Sequence, residues 1–306
     1  MALLNNIESE KPLVSVIINC FNGEKYLREA LDSVITQTYK NWEIIFWDNQ
    51  STDISAKIFK SYKDSRLKYY LAPTHTKILY EARNYALKKT TGDFIAFLDV
   101  DDYWLPDKLE KQVPLFNDSK VGLVYGNLWY LLNTKKKKIL RKKALPTGMI
   151  LNELLQDYVV CLATIIIRKK CLESLKYCFN DHFHIIGDFD LSMRIAAKWK
   201  LNCVQSPIAF VRIHGKNESL LNRDMEINEM KNWYNEMRKN PTFSSLSRLK
   251  QIEKNFLYLE TMKIILNGGF RKSFFKVAQY PLCFKKLKLI IALLLPKFVL
   301  KKIKTY

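Results

Sequence analysis

Glycine is scarce in this sequence, which contains nine glycines among its 306 residues. Neither the GxxxxGK(S/T) motif nor the GxGxxG motif occurs in it. In proteins that carry these motifs, the glycines let backbone amides approach phosphate groups closely. A diphosphate bound by this chain would therefore have to be neutralised by a metal ion or by a cationic side chain instead.

Cysteine pairs and an apolar leader are also absent. The six cysteines include no CxxC pair and no spacing typical of a zinc site. Several lie within apolar runs, which predicts buried free thiols in a reducing compartment. The segment from Met1 to Lys11 is polar and acidic and lacks the apolar core of a signal peptide. We therefore expect a cytoplasmic protein.

No apolar stretch reaches the roughly 20 residues that a membrane-spanning helix needs. The nearest candidate, Leu287 to Leu300, is interrupted by Lys288, Pro296 and Lys297, and more lysines follow it. Two interpretations of residues 285–306 stay open. The segment could lie on an anionic membrane surface, or it could be a terminal helix packed on the protein.

Positive charge is abundant and unevenly distributed, with a formal net charge of +20. The segment from Lys231 to Tyr306 contains 14 Lys and 3 Arg against 3 Glu, a net charge of +14. Such an excess predicts an anionic partner, either nucleic acid, a phosphate-bearing substrate or anionic lipid. A shorter basic run, Lys135 to Lys143, predicts a solvated hairpin tip, with an acidic-lipid contact as the alternative.

Strand and helix patterns alternate in the first half of the chain. Strands are predicted at 13–18, 43–47, 67–71 and 94–98, and helices at 24–36, 51–62 and 78–89. Further strands are predicted at 121–129, 164–168 and 208–213, with a helix at 188–200 and a helical pattern from 224 onward. This order predicts an α/β fold with a mostly parallel sheet flanked by helices.

An acidic turn, Asp99-Val100-Asp101-Asp102, directly follows the strand predicted at 94–98. Open α/β sheets bind their ligands at the carboxyl ends of their strands. Carboxylates this close repel one another unless a cation holds them, and carboxylate oxygens suit Mg²⁺ or Mn²⁺. The alternative is an Asx turn that caps the next helix, which Pro106 would open.

Two more polar strand ends should reach the same edge of the sheet, at 19–24 and 48–53. Together they could supply a nucleotide site, with Asp48 as an acceptor for a base N–H. For Ser51 and Asp53 we favour helix capping. Arg83, on the helix at 78–89, could neutralise a diphosphate or form a surface ion pair with Glu81.

Two later clusters also carry candidate residues. In Gly187-Asp188-Phe189-Asp190, the second acid lies four residues before Arg194 and can pair with it on one helical face. That pairing favours Asp188 as a general base and Asp190 as a structural residue, although both could simply complement the helix dipole. In the strand that follows, Arg212 and His214 point to the same face, where they could contact phosphate or metal.

These motifs, taken in order, resemble the family 2 glycosyltransferases, which are inverting enzymes with the GT-A nucleotide-diphospho-sugar transferase fold. The resemblance covers roughly residues 12 to 220. It is carried by the segments 14–22, 42–53, 82–93, 97–106, 187–191 and 212–214.

The resemblance implies roles for individual residues. Donor binding falls to Asn22, Glu24, Asp48, Arg83, Asp99, Asp101 and Arg212, metal binding to Asp99, Asp101 and His214, and base catalysis to Asp188. The metal would be Mn²⁺ or Mg²⁺, with Asp101 as the direct ligand. Two residues depart from the family pattern: Asn49 stands where a second acid is common, and Gly187 where Glu often precedes the base.

We therefore expect an inverting, metal-dependent glycosyltransferase that moves a sugar from a UDP-linked donor to a glycan or lipid-linked glycan acceptor. Bacterial surface polysaccharide or glycoprotein glycan synthesis would be its context, at the inner face of the cytoplasmic membrane. The predicted division is an extension at 1–11, a catalytic domain at 12–222 and a basic helical region at 223–306.

Two other functions compete with this expectation. A sugar nucleotidyltransferase would need a glycine-rich loop with Arg and Lys after the first strand, and Asn22-Gly23-Glu24 does not provide one. A nucleic-acid-binding protein is suggested by the net charge alone, without a recognisable binding motif. We expect no nucleic-acid partner.

Overall fold

The computed structural model describes residues 11–132, 137–140, 143–215 and 217–295. These residues form nine strands: β1 (Val14–Cys20), β2 (Trp42–Asp48), β3 (Leu67–Leu71), β4 (Phe94–Phe97), β5 (Tyr103–Trp104), β6 (Val121–Leu132), β7 (Lys137–Leu140), β8 (Ile166–Arg168) and β9 (Lys200–Ile213). All nine belong to one sheet with the order β3-β2-β1-β4-β8-β6-β9-β5, and β7 pairs with β6.

The described residues also form thirteen α-helices and two short 3₁₀ helices, at Val113–Phe116 and Leu162–Thr164. The α-helices are α1 (Leu27–Ile35), α2 (Ser55–Lys60), α3 (Leu79–Leu87), α4 (Lys108–Gln112), α5 (Leu151–Gln156), α6 (Lys169–Glu173), α7 (Gly187–Ala196), α8 (Glu218–Leu221), α9 (Arg223–Met237), α10 (Pro241–Ser244), α11 (Leu249–Leu266), α12 (Phe270–Gln279) and α13 (Phe284–Leu294).

The first four strands of the sheet are parallel, as the alternation of strands and helices predicts. β1 lies between β2 and β4, and β3 pairs with the outer side of β2. A helix follows β1, β2 and β3 and returns the chain to the start of the next strand. The carboxyl ends of β1, β2 and β4 therefore lie side by side at one edge.

The second half of the sheet is mixed. β8 runs antiparallel between β4 and β6, β7 and β5 are antiparallel to their partners, and β6 and β9 are parallel. The predicted parallel arrangement is therefore found in the first four strands, β1 to β4. β6 and β7 are antiparallel neighbours, and β7 consists of residues 137–140, which the sequence predicts to lie in a hairpin tip. The rest of that basic run, apart from Lys143, lies outside the described residues.

Helices cover both faces of the parallel strands. Alternate side chains of β1 point to opposite faces of the sheet. Val14, Val16 and Ile18 pack in a core that includes Leu27 and Leu31 of α1. On the other face, α3 packs against β1 and β2. From this position, Arg83 of α3 reaches the carboxyl edge of the sheet, where it contacts Asp99.

The described chain divides into two compact units. Residues up to Leu151 and Val159–Asn217 form the first, while Asn152–Tyr158 and the residues from Glu218 onward form the second. The predicted boundary at 222/223 lies close to this division and stays a prediction. The predicted extension at 1–11 lies outside the described residues except for Lys11. Of the described helices, none has the length and apolar character required to cross a membrane.

Candidate active site

The acidic turn begins where β4 ends, at the edge that β1 and β2 also reach. The backbone N–H of Asp102 donates to the carbonyl oxygen of Asp99 over 3.0 Å, which closes the turn. The three carboxylates of the turn take different partners. Asp99 Oδ1 lies 2.5 Å from Arg83 Nη2, and Asp101 Oδ2 lies 2.9 Å from His214 Nε2. Asp102 Oδ1 accepts a hydrogen bond from the backbone N–H of Arg212 at 2.8 Å.

Arg83 is buried, in contrast to the surface ion pair that was the alternative for it. Its side chain is 3% exposed and pairs with Asp99 rather than with Glu81. Burial works to lower the pKa of Arg83, but the charge of Asp99 and the neighbouring Tyr80 and Asp188 outweigh it and raise the pKa. A fixed positive charge therefore lies beside the acidic turn.

Arg212 lies near the end of β9 and His214 directly follows that strand, and both side chains contact Asp101 of the acidic turn. Arg212 Nε donates to the carbonyl oxygen of Asp101 over 2.8 Å, and Arg212 Nη2 pairs with Glu29 at 2.5 Å. Tyr26 covers both residues: the guanidinium carbon of Arg212 lies 4.4 Å from its ring centre, and the His214 ring stacks on it at 5.9 Å. The end of β9 is thus tied to the acidic turn.

Electrostatics of the turn favour a bound cation. Burial, followed by the charges of Asp101 and Asp99, raises the pKa of Asp102 well above its usual range. Burial and the charge of Asp99 also raise the pKa of Asp101, against the opposing effect of His214. Asp102 holds the turn through Arg212, so Asp101 is the acid best placed to accept a metal.

The donor atoms at this edge fit a divalent metal that substrate helps to coordinate. Among the described residues, no group of three or more His, Cys, Asp or Glu side chains could hold a metal ion. Asp101 Oδ2 and His214 Nε2 are adjacent, and Asp99 presents a carboxylate that is 38% exposed. Mg²⁺ sites commonly use one or two carboxylates and complete their coordination with water and substrate phosphates.

Asp188 lies in the first turn of α7. Its Oδ1 is 3.0 Å from the hydroxyl of Tyr80 and accepts a hydrogen bond from the N–H of Phe189 at 2.9 Å. Burial raises the pKa of Asp188, while the charge of Arg83 and the hydrogen bond from Tyr80 act in the opposite direction. A carboxylate with a raised pKa suits a general base.

Asp190 has the structural role that its spacing predicts. It is buried, and its Oδ2 lies 2.7 Å from Nη2 of Arg194. The same guanidinium donates to the carbonyl oxygens of Tyr177 and Cys178. Asp190 therefore fixes α7 to the preceding loop, and Asp188 remains the candidate base.

Gly187, which departs from the family pattern, is explained by its packing. A Cβ atom at this position would lie 2.5 Å from the Tyr80 ring, well inside van der Waals contact. The Tyr80 ring therefore fills the space that a side chain at position 187 would need.

Asn22 and Glu24 tie two loops of the edge together. Asn22 Oδ1 accepts a hydrogen bond from the N–H of Thr52 at 2.8 Å, and Glu24 Oε2 accepts one from Ile54 at 3.2 Å. Both side chains thus organise the loop after β2. Their predicted contact with a donor stays a prediction.

Asp48 and Asn49 organise the end of β2 in different ways. Asp48 is buried, and its oxygens accept hydrogen bonds from the N–H of Ser51 at 2.8 Å and the hydroxyl of Tyr69 at 2.6 Å. Asn49 donates to the carbonyl oxygen of Thr76 and accepts from its N–H, at 2.8 and 3.0 Å. An amide does both, whereas a carboxylate can only accept, which explains the departure at position 49.

Sequence reasoning missed an aromatic pair beside this loop. Phe21 is half exposed, and its ring centre lies 4.4 Å from that of His75. His75 Nδ1 in turn lies 2.9 Å from the carbonyl oxygen of Asn49. An aromatic residue directly after a strand end was the available signal for Phe21. Nothing in the sequence brings His75 to it.

Comparison with known proteins adds a family and a fold. Residues 15–175 match the family model described as Glycosyl transferase family 2. Over 167 residues the chain is 34% identical to the Escherichia coli protein UDP-Glc:alpha-D-GlcNAc-diphosphoundecaprenol beta-1,3-glucosyltransferase WfgD. The alignment takes in 55% of this chain and 64% of WfgD, so the chain spans less than two thirds of that relative.

Two solved structures share the architecture. S. aureus TarS 1–349 in complex with UDP-GlcNAc has a TM-score of 0.64 at 18% identity, covering 92% of this chain and 79% of that chain. The Pyrobaculum calidifontis mannosyltransferase PcManGT, in complex with GDP-Man and Mn²⁺, has a TM-score of 0.63 at 16% identity, with coverage of 96% and 84%. This likeness confirms the expected α/β fold of the GT-A type.

Proposed function

The chain belongs to glycosyl transferase family 2, and we propose that it transfers a sugar from a nucleotide-diphosphate donor to a hydroxyl of a glycan or lipid-linked glycan acceptor. One observation carries the proposal: a chain of contacts connects the acidic turn to the candidate base, Asp188. Arg83 pairs with Asp99, and its guanidinium carbon lies 5.0 Å from the ring centre of Tyr80. Tyr80 in turn contacts Asp188.

The proposed reaction is one in-line displacement at the anomeric carbon. The acceptor oxygen forms a bond to that carbon while the bond to the diphosphate oxygen breaks, which inverts its configuration. Asp188 takes the proton of the acceptor hydroxyl, and the electron pair of the broken bond leaves with the nucleoside diphosphate. An α-linked donor thereby gives a β-linked product.

Asp101 and His214 would hold a divalent cation, Mn²⁺ or Mg²⁺, with Asp99 beside them. When bound, such an ion neutralises the charge that develops on the leaving diphosphate. Arg83 contributes a second, permanent positive charge at the same edge. Support for metal dependence comes from the paired ligand atoms of Asp101 and His214 and from the Mn²⁺ in the PcManGT complex.

We infer a uridine diphosphate sugar as the donor. WfgD is named for UDP-Glc, and TarS was solved with UDP-GlcNAc. The exposed ring of Phe21 beside His75 offers a flat surface on which a base can stack. Asp48 lies at the same edge, where the resemblance assigns it to the base.

We infer a lipid-linked acceptor in bacterial surface polysaccharide synthesis. The name of WfgD specifies a GlcNAc-diphosphoundecaprenol acceptor. Such an acceptor is anchored in a membrane, which gives the positive charge of the carboxyl-terminal region a function. The protein would then work peripherally, at the inner face of the cytoplasmic membrane.

The second unit carries a surface suited to that location. On α13, four apolar side chains spaced three or four residues apart are 49% to 77% exposed: Phe284, Leu287, Ile291 and Leu294. We call them the apolar stripe. Leu289 and Ala292, on the opposite side of α13, are buried within the second unit. One face of α13 is therefore packed within the second unit, and the other face is exposed and available for the proposed contact with a membrane surface.

Three lysines lie on the same helix as the apolar stripe. Lys288 is exposed, whereas the ammonium groups of Lys285 and Lys286 donate to Asn255 and to the carbonyl oxygen of Ala278. A helix with an exposed apolar face and basic neighbours is typical of binding in the interface of an anionic bilayer. Residues 296–306, the remainder of the predicted segment, lie outside the described residues.

The function is tested by incubating the full chain with a panel of UDP-sugars and GDP-Man, Mn²⁺ or Mg²⁺, and a GlcNAc-diphospholipid acceptor. We expect metal-dependent release of UDP and a product whose new linkage is β by NMR. Absence of transfer from every donor, together with release of pyrophosphate from UTP and a sugar phosphate, would instead identify a nucleotidyltransferase.

Membrane binding is tested by co-sedimentation with phosphatidylglycerol and phosphatidylcholine vesicles. The double variant Leu287→Ser/Ile291→Ser should bind anionic vesicles at least roughly tenfold more weakly, because it removes apolar area that the bilayer would bury. Leu71→Ser, which changes an equally exposed leucine of the first unit, is the matched control. Undiminished binding of the double variant would show that the apolar stripe does not contact the bilayer.

A further inference from the structure

Tyr80 connects two parts of the site that sequence reasoning treated separately. The residue is buried, with 4% of its surface exposed, and lies at the start of α3. Its hydroxyl lies 3.0 Å from Asp188 Oδ1 and 3.1 Å from the carbonyl oxygen of Ile185. These contacts join residues that are more than 100 positions apart, so packing of the whole unit sets them.

The Tyr80 ring is fixed on several sides. It packs on Phe179 with 5.1 Å between ring centres, and the Arg83 guanidinium lies 5.0 Å from its own centre. On a further side it meets Gly187, where an added Cβ would approach the ring to 2.5 Å. A ring held in this way has little freedom to move its hydroxyl away from Asp188.

The contact with Gly187 places the ring directly against the residue that precedes Asp188. Any larger residue at position 187 would have to displace the ring or shift the start of α7. The large ring at position 80 therefore requires the absence of a side chain at position 187. It brings a hydroxyl to Asp188 from another helix.

We propose that Tyr80 is a positioning residue for Asp188, whose hydroxyl orients the carboxylate toward the acceptor, and that Gly187 is required to admit the Tyr80 ring. This inference rests on the proposed role of Asp188 as base. The hydroxyl donates to Oδ1, and the N–H of Phe189 donates to the same atom. Two donors at one oxygen define the plane of the carboxylate.

The hydroxyl also bears on the ionisation of Asp188. A donor to the charged carboxylate favours its ionised form, and this effect opposes burial. Arg83 favours the ionised form as well, and Asp99 disfavours it. Loss of the hydroxyl alone, with these other charges kept, should therefore move the pH at which Asp188 becomes an active base upward.

The test compares Tyr80→Phe with the wild type at saturating donor and acceptor. The phenyl ring preserves the packing, so we expect an unchanged fold and unchanged donor KM. We expect kcat to fall roughly 10- to 100-fold, as for loss of a hydrogen bond to a charged group. The acid limb of the kcat profile should shift to higher pH, which a purely structural role would not produce.

Tyr85→Phe is the matched control, because Tyr85 lies on the same helix, is exposed and hydrogen-bonds to Glu81 rather than to Asp188. It should retain wild-type kcat and pH profile. Gly187→Ala should reproduce the loss in kcat, since its methyl group displaces the ring. If Gly187→Ala fails to fold, Tyr80→Phe still tests whether Tyr80 positions Asp188.

Two failures are distinguishable. If Asp188→Asn is inactive while Tyr80→Phe keeps wild-type kcat and pH profile, the positioning role of Tyr80 is overturned and the base assignment stands. If Asp188→Asn keeps its activity, the base assignment itself is wrong and the role of Tyr80 falls with it.

Discussion

Arg83 Nη2 lies 2.5 Å from Asp99 Oδ1, and this ion pair joins a buried guanidinium to a partly exposed carboxylate. The pair shows that Asp99 and Asp101 of the acidic turn have different roles. Asp99 is the counter-charge that allows Arg83 to be buried, whereas Asp101 lies beside His214 and faces a different partner. An aspartate pair that looks uniform in the sequence is therefore asymmetric in the structure.

Removing the counter-charge should destabilise the protein. We expect Asp99→Asn to lower the free energy of unfolding by about 2 kcal/mol without metal, because Arg83 stays buried without its carboxylate. Urea denaturation measures this. Asp107→Asn is the control, since Asp107 and Lys111 form an exposed pair at 2.5 Å and should change stability by about 0.5 kcal/mol or less. Equal losses in both variants would contradict a special role for the Arg83 pair.

His214 should govern metal-dependent nucleotide binding. We expect His214→Ala to weaken Mn²⁺-dependent binding of UDP at least roughly tenfold, because one of the two adjacent atoms proposed to bind the metal is lost. Calorimetric titration of UDP with and without Mn²⁺ measures the effect. His182→Ala, which alters a side chain that is 89% exposed, should bind UDP like the wild type. If His214→Ala shows the same Mn²⁺ dependence as the wild type, His214 is not a ligand.

Asn49 should not tolerate an acid despite the family pattern. We expect Asn49→Asp to destabilise the protein by about 1–3 kcal/mol, because a carboxylate cannot donate to the carbonyl oxygen of Thr76. Asn240→Asp is the matched control: its side-chain oxygen accepts from the N–H of Thr242, which a carboxylate does equally well. Thermal or urea unfolding compares the two, and an unchanged midpoint for Asn49→Asp would contradict the argument.

Lys108 should make stability rise with pH. The side chain is fully buried, its Nζ donates to Gln112 Oε1 at 2.7 Å, and burial lowers its pKa well below the usual range. Between the lowered native pKa and the unfolded pKa of about 10.4, the unfolded chain therefore binds a proton that the native state lacks. Because the unfolded state binds more protons, raising the pH toward that value stabilises the fold.

The measurement for Lys108 is the free energy of unfolding between pH 7 and 10. Relative to Lys108→Met, the wild type should gain up to about 1.4 kcal/mol per pH unit. Lys111→Met alters a lysine of the same helix that is 40% exposed, and its difference from wild type should not vary with pH in this way. A constant difference between wild type and Lys108→Met would show that the buried amine is protonated.

Local patterns in the sequence predict the first half of the fold and much of the site. Strand and helix alternation places Asp48 and the acidic turn at one edge, and spacing alone pairs Asp190 with Arg194. These relationships follow from geometry within one element or between neighbouring parallel strands. Asp102 holds the turn through the backbone of Arg212, whereas the metal role of Asp99 and Asp101 stays a prediction. The alternative of a helix cap is wrong, because β5 follows the turn and α4 begins only at Lys108.

Other parts depend on contacts between distant segments and have no local signature. The antiparallel insertion of β8 between β4 and β6 decides where β9, and with it His214, meets the acidic turn. The burial of Arg83 and the contact of Tyr80 with Asp188 also arise from the packing of α3. Amino-acid spacing cannot encode these distances, because each joins elements that only the complete sheet brings together.

The role of Asp188 as base is the central claim, and transfer measured beside binding tests it most directly. Asp188→Asn should bind UDP and Mn²⁺ like the wild type while its kcat falls at least roughly 100-fold, since an amide cannot take the acceptor proton. Asp181→Asn, at an acid that is 65% exposed on the preceding loop, should keep wild-type activity. Transfer by Asp188→Asn at a rate close to the wild type would contradict the account.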